Sequence, residues 1–284
     1  MSTLTFNLLL RYRYIEIIAL WEGSLRTKHL CQTFNIGRQQ ASKDINQYNN
    51  EIAPNNLFYD RSMKSYVPSD TFIPKVTSGV LDEYLSFSTD ATDSVNILKS
   101  ICKENIPVET IKWPSRYAAP RVVRSVVQAI KRCNRIEVDY VSVQKPDREG
   151  RIIVPHALAF TGDRWHVRAW CEKNQDYRDF ALSRFRGEPE LLGKSAHNRK
   201  NDVAWQTKVT MEIIPNPSLS PEQQKVVAED YAMSDGKLAI TLRAQLIPYA
   251  INLLHLVKSA DDSDPLANQL VLLNRHNLHK WLSF

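Results

Sequence analysis

Residues 25–68 read LRTKHLCQTFNIGRQQASKDINQYNNEIAPNNLFYDRSMKSYVP, and this stretch decides how the chain begins its fold. Thr27 is the expected N-cap of a short helix, Lys28 to Phe34, with Leu30, Cys31 and Phe34 at helical spacing. Asn35-Ile36-Gly37 makes a tight turn, because Asn and Gly tolerate positive φ. A second helix is expected from Arg38 to Asn49 or slightly beyond, with Ala41, Ile45 and Tyr48 as its apolar stripe. Leu57-Phe58-Tyr59 and Ser65-Tyr66-Val67 then read as two short strands joined by the polar loop Asp60 to Lys64. Two helices about a tight turn, followed by a hairpin, form the layout of a winged helix-turn-helix. The rest of the second helix carries Arg38, Gln39, Gln40, Ser42, Lys43, Asn46 and Gln47. Such amide, hydroxyl and cationic groups read base edges and hold phosphates in a major groove. Arg38 and Lys43 are expected on phosphates, and Gln39, Gln40 and Asn46 suit adenine edges, where a side-chain amide pairs bidentately. Thr27, Ser42 and Gln47 complete the expected DNA-binding face, and Arg61 and Lys64 at the wing tip are placed to reach backbone phosphates.

On the N-terminal side, residues 6–21 form a first helix that buries Leu9, Leu10, Ile17, Ile18, Leu20 and Trp21 and stops at Gly23. On the other side, Val76 to Phe87 has helical periodicity, and Val95 to Ile101 fits a helix or a strand. Pro120 suits the first turn of a helix that buries Val122, Val123, Val126, Val127 and Ile130. Strands follow at Ile136 to Val143, Arg151 to Pro155 and Ala157 to Thr161, then Arg164 to Cys171 after a Gly162-Asp163 turn, with Tyr177 to Leu182 the last. Short strands so closely punctuated by turn residues predict a small, strongly bent sheet or open barrel. The tail alternates strand and helix: Val209 to Ile214, Pro221 to Tyr231, Lys237 to Arg243, Pro248 to Val257 and Leu270 to Leu273, closed by a helical turn at His276 to Leu282. The expected class is α+β multidomain. The head spans 1–70, a helical connector 71–117, a central β domain 118–206 and a C-terminal α+β domain 207–284.

The net charge of +6 is uneven. Residues 118–206 hold 17 Lys and Arg against 11 Asp and Glu, while residues 1–70 hold 8 against 6. Basic surface concentrates anionic partners, so the centre of the chain, and not only its head, is marked for nucleic acid or another anion. The four cysteines, Cys31, Cys102, Cys133 and Cys171, stand far apart without a CxxC pair and read as reduced thiols of a cytoplasmic protein. No run of about 18 apolar residues marks a membrane span, and the start MSTLTFNLLLRYRY lacks the basic region of a signal peptide.

With these elements in order, the chain resembles the WYL-domain transcriptional regulators, specifically the group linked to the anti-phage BREX and CBASS loci. The resemblance covers almost the whole length. The Trp-Tyr-Leu strand motif corresponds to Trp165-His166-Val167 within Asp163 to Ala169, and only the Trp is identical. The segments Ile136 to Tyr140, Pro155 to Leu158 and Tyr177 to Arg184 follow the family order. In the head, Gly37 to Asp44 follows a Ser-Arg-x-x-x-Ser-Arg-Asp pattern, with Gly37 for the Ser and Lys43 for the second Arg. The resemblance implies a central Sm-like small β-barrel that senses a nucleotide or nucleic-acid effector. It also implies a homodimer on an inverted-repeat operator in double-stranded DNA, most simply as a repressor, with no cofactor.

The expected ligand-binding residues lie in that central region. Strand alternation puts Trp165, Val167 and Ala169 on one face, the core, and His166 and Arg168 on the other. With Arg178, Arg184 and Arg186 the second face would be basic, and Arg suits phosphate because its planar fork donates two parallel hydrogen bonds. Tyr140 and His156 add stacking and hydrogen bonds for a base, and Ser183 completes the set. The competing reading pairs these arginines with Asp139, Asp163, Asp176 and Asp179. A different class of function, a defence effector that grips single strands directly, also fits a basic WYL region. Enzymatic signals are sparse. Asp139, His156, Asp163 and His166 form the nearest acid–base set, GxSxG and HExxH are missing, and the chain has eight glycines. His276 and His279 lack a third metal ligand.

Overall fold

The computed structural model describes residues 5–86, 114, 116–144, 146, 148–256 and 264–282. The expectation for Val95 to Ile101 lies outside the described residues. The chain divides into two compact units, Met1–Ile153 with Ala181–Lys194, and Val154–Phe180 with Ser195–Phe284.

The first unit opens with α1 (Phe6–Glu22), α2 (Thr27–Phe34) and α3 (Arg38–Gln47), followed by the antiparallel hairpin β1 (Leu57–Asp60) and β2 (Ser65–Pro68). Their apolar stripes meet in one core that includes Tyr12, Ile15, Leu30, Ile45, Tyr48 and Leu57. In α1 the buried positions start at Tyr12, and Leu9 is exposed, so the expected burial of Leu9 is corrected. Thr27 is not an N-cap. Leu25 exchanges two backbone hydrogen bonds with Tyr66, at 2.7 and 2.8 Å. That holds Leu25 extended, makes Arg26 the half-in residue and leaves Thr27 as the first helical one. Helix α3 ends at Gln47 and passes into a π-helical turn, Tyr48–Ile52.

The buried carboxylate of Glu16, on α1, anchors the chain that leaves the wing. It accepts from the Tyr48 hydroxyl at 2.9 Å and from the backbone N–H groups of Lys75, Val76 and Thr77 at 2.6 to 3.0 Å. With residues 75–77 pinned there and Gly79 at positive φ, α4 (Leu81–Ser86) begins five residues after the expected start at Val76, and the expected end at Phe87 lies outside the described residues. Glu83 caps Ser78 and Gly79 at 2.9 and 3.2 Å just before it. Gly79 sits at φ +68 with Pro74 Cγ 2.9 Å from where a Cβ would stand, a position no other residue fills without strain.

Helix α5 (Pro120–Arg132) begins at its proline and buries Val122, Val123, Val126 and Val127. The strand β3 (Asn134–Tyr140) pairs antiparallel with the first half of β4 (Glu149–Phe160) and with β7 (Phe185–Lys194). Two expected strands, 151–155 and 157–161, are thus one long strand. Pro155 interrupts hydrogen bonding without ending the extended chain. Strand β7 follows Tyr177 to Leu182, the last strand expected from sequence, and is a further strand. That strand lies at the end of the strand order, carries Gly187 at φ +68, and is bulged against β3, so it shows no alternation.

The second unit holds the rest of β4, then β5 (Trp165–Cys171) and β6 (Asp176–Ala181, its last residue in the first unit) in the order β6-β5-β4. After a short helix α6 (Val203–Gln206), the strands β8 (Lys208–Pro215), β9 (Leu238–Arg243) and β10 (Leu270–Leu272) form an antiparallel sheet in the order β10-β8-β9. Helices α7 (Pro221–Asp230) and α8 (Ile247–Leu253) contribute to its core, with Met211, Ile213, Val227, Ile247, Leu270 and Leu272 buried together. Among the described residues no helix is long and apolar enough to cross a membrane.

Candidate nucleic-acid interface and effector cavity

Helix α3 presents Arg38, Gln39, Gln40, Lys43 and Asn46 to solvent, with Ser42 and Gln47 half-buried. The opposite side is held by Ala41 and Ile45 in the core and by Asp44, whose carboxylate takes Arg11 Nε at 2.7 Å. That ion pair fixes the roll of α3 on α1. Three of the helix's amides are partly committed. Gln40 Nε2 donates to Asp44 at 2.7 Å, Gln47 Nε2 donates to Glu51 at 2.9 Å, and Asn46 Oδ1 accepts from Tyr66 of the wing at 3.5 Å. Thr27 is half-buried at the start of α2. The wing tip is built by Asp60, whose Oδ1 accepts from Ser62 N, Ser62 Oγ and Met63 N at 2.7, 2.7 and 3.0 Å. These bonds hold its carboxyl below the usual carboxylate range. Arg61 and Lys64 are exposed on that tip, and Arg26 Nη2 ties it to the head through Met63 O at 3.2 Å.

In the second unit the expected basic face is a buried ion network. His166 and Arg168 are 7 % and 8 % exposed, so the alternation of β5 has a buried face on both sides. Arg168 donates from Nε and Nη2 to the two oxygens of Asp202 at 2.7 and 3.1 Å, and from Nη1 to Asp179 at 3.5 Å. Asp202 also accepts from His156 Nε2 at 3.0 Å and caps α6 through Trp205 N at 3.1 Å. Burial works against its charge, but the hydrogen bonds of His156 and Arg168 outweigh that, and its pKa falls to about 2. Burial pushes Asp179 the other way, above the usual carboxylate value, against the pull of Arg168, Gln245 and Tyr249. Burial likewise opposes the Arg168 guanidinium, yet its two carboxylates win and its pKa is raised.

Asp179 Oδ2 accepts from Gln245 Nε2 at 2.8 Å and from the Tyr249 hydroxyl at 3.1 Å, so the network extends from the β strands into the C-terminal segment. Beside it lies a cavity of about 490 Å3, bordered among others by Arg168, Tyr177, Arg178, Gln245, Tyr249 and Trp281. His166 packs against Tyr249 with ring centroids 5.0 Å apart, and His156 lies edge-on to Tyr177 and Trp205.

The second unit thus gathers His156, His166, Arg168 and Arg178, whereas Tyr140, Ser183, Arg184 and Arg186 belong to the first. There Tyr140 is buried with its hydroxyl accepting from Ala181 N at 3.1 Å, and Arg186 donates to the Ser183 and Phe185 carbonyls at 2.9 Å. Arg184 is half-buried, and its carbonyl accepts from Val141 N at 3.2 Å. Asp139, His156, Asp163 and His166 do not form an acid–base set: Asp139 pairs with Arg148, His156 with Asp202, Asp163 with Arg164, and His166 approaches Thr161. Among the described residues no group of three or more His, Cys, Asp or Glu is placed to hold a metal ion.

Three family models match: the BrxR transcriptional regulator winged helix-turn-helix domain over residues 7–90, the WYL domain over 121–187, and the BrxR C-terminal dimerization domain over 208–278. The DNA-binding transcriptional repressor CapW of Escherichia coli (strain KTE188) is 31% identical over 96% of this chain and 91% of its own. The proteins of that name from Pseudomonas aeruginosa and Stenotrophomonas maltophilia are 30% and 29% identical over the same shares. The chain belongs to the WYL-domain transcriptional regulators, alongside CapW and BrxR. The solved structure of proteasome accessory factor B/C of Arthrobacter aurescens covers 97% of this chain and 48% of that one at 14% identity, with a TM-score of 0.26. That level does not establish a common fold.

In this WYL regulator several site residues have no local sequence signal. Asp202, Gln245, Tyr249 and Trp281 lie 34 to 113 residues from Arg168, and only folding brings them to one place. Asp202 alone was findable, as an Asp directly before the short helix Val203–Gln206.

Proposed function

We propose that this WYL regulator is a homodimeric transcriptional repressor that reads an inverted-repeat operator in double-stranded DNA of a phage-defence locus. Its WYL region would bind a nucleotide or nucleic-acid effector that modulates DNA binding. The observation that carries the reading is the solvent face of α3, with Arg38, Gln39 and Lys43 exposed beside a preformed wing. The relatives named as DNA-binding repressors and the match to a dimerization domain support it. The domain boundaries proposed above, 1–70, 71–117, 118–206 and 207–284, go with it. An effector acts only if its affinity differs between the DNA-bound and released states.

The test is a salt titration of binding to the DNA upstream of the protein's own gene against a scrambled duplex, with the parent and a Gln39→Ala, Lys43→Ala variant. Gln40 is left intact because its amide serves Asp44. A preference of about 10³ or more, lost in the variant, is the expected result. Equal affinity for both duplexes with one steep salt slope would overturn it, and preferential binding of single strands would point to a direct effector instead.

A further inference from the structure

Gln245 sits in the 3-10 turn Ala244–Leu246 and is 7 % exposed. Its amide has one allowed orientation. The amino group must face Asp179 Oδ2, 2.8 Å away, because a carboxylate accepts and does not donate. The carbonyl oxygen is then buried with no hydrogen-bond partner among the described residues. Gln245 borders the 490 Å3 cavity, so this orphaned acceptor belongs to a residue of its wall. Buried acceptors are almost always hydrogen-bonded, so this one calls for an N–H or O–H donor, from a water or from a ligand.

The other walls narrow the ligand. Tyr249 and Trp281 supply aromatic rings, and Arg178 and Lys280 are exposed cations against one exposed carboxylate, Asp176. Lys280 Nζ lies 4.7 Å from the Trp281 ring centroid, placing charge next to an aromatic surface. A volume of this size suits one small organic molecule with a ring and an anionic group.

We propose that this cavity is the effector site and that it takes a nucleotide. Gln245 Oε1 accepts an N–H of the base, Tyr249 or Trp281 stacks on it, and Arg178 and Lys280 hold the phosphate. The proposal rests on the effector reading above and adds to it a location. Gln245, Tyr249, Lys280 and Trp281 fall within or next to the segment matching the dimerization domain, while Arg178 comes from the WYL strand β6. Occupancy would therefore tie that strand to the dimerization segment. Because Gln245 and Tyr249 also hold Asp179, a pull on Gln245 would pass to Arg168 and Asp202.

The experiment is isothermal titration of the full-length protein with adenosine 5′-monophosphate, adenosine, inorganic phosphate and a single-stranded hexadeoxyadenylate. The parent should bind the monophosphate at least tenfold more tightly than adenosine or phosphate alone. Arg178→Ala, Lys280→Ala and Gln245→Leu should each lose tenfold or more, while the matched control Lys225→Ala, on the exposed face of α7, should not. Preference for the free monophosphate identifies a soluble nucleotide as the source, and preference for the oligonucleotide identifies a strand end. Thermal melts confirm that each variant is folded, and Arg178→Ala, at an exposed residue, keeps the test decisive if Gln245→Leu is unstable. Parental affinity in Arg178→Ala and Lys280→Ala, with loss in Arg184→Ala, would overturn the location and leave the effector reading standing. No binding of any probe by the parent would overturn the nucleotide class, and unaltered operator binding across a wider effector screen would overturn the effector reading itself.

Discussion

Arg168 shows why a residue type does not settle a role. Its guanidinium would suit a phosphate, but in the fold it is spent on Asp202 and Asp179. Arg168→Ala should therefore act on stability, leaving the buried Asp202 and the half-buried Asp179 without their cation, at a cost of about 3–5 kcal/mol. Urea unfolding reads the loss, and Arg178→Ala, at an exposed position, should show almost none of it. The same network sets a pH dependence. The folded pKa of Asp202, about 2, lies below the ordinary unfolded value near 3.9, so its contribution is full above about pH 4 and is lost as pH falls toward 2. Asp202→Asn should lower stability above pH 4 and flatten the plot of stability against pH across that window. Asp179 has the opposite sign. Its raised pKa makes its burial unfavourable once pH rises above the unfolded value, so it does not contribute to acid unfolding. An unchanged acid limb in Asp202→Asn would remove Asp202 from this account.

At the scale of elements, the head and its exit segment are joined by one side chain. Glu16 takes three successive backbone N–H groups, a hydroxyl of the core and the Thr77 hydroxyl. Glu16→Ala should destabilise the head by about 1–3 kcal/mol for each buried donor left unpaired, and amide hydrogen exchange at Lys75, Val76 and Thr77 should quicken before that of α3. Gly79→Ala tests the same exit. It forces a Cβ to within 2.9 Å of Pro74 Cγ at a φ of +68, and a melting temperature equal to the parent's would refute the strain argument. The helix-turn-helix, the wing and the Pro120 helix were legible because apolar periodicity and turn residues act within a few positions. The late start of α4, the extended Arg26 and the strand β7 were not, because Glu16, which pins residues 75–77, Tyr66 and β3 all act from elsewhere in the chain.

At the scale of the whole molecule, the proposed homodimer predicts sedimentation at twice the chain mass. It also predicts a footprint with two half-sites on one DNA face, about 10 base pairs apart centre to centre or a multiple of that. A single protected half-site, or a monomer at working concentration, would contradict it.

The sequence alone determined the winged head, the α+β class, the order of the β and C-terminal segments and the family, since each follows from residues near one another or from their linear order. Tertiary structure decided which polar groups remain available to a partner. Charge segregation marked the middle of the chain as basic, yet the fold neutralised Arg168 inside a buried network and left Arg178 and Lys280 exposed at the cavity. Burial and pairing of a charge depend on side chains that arrive from distant positions, and no local pattern encodes that arrival.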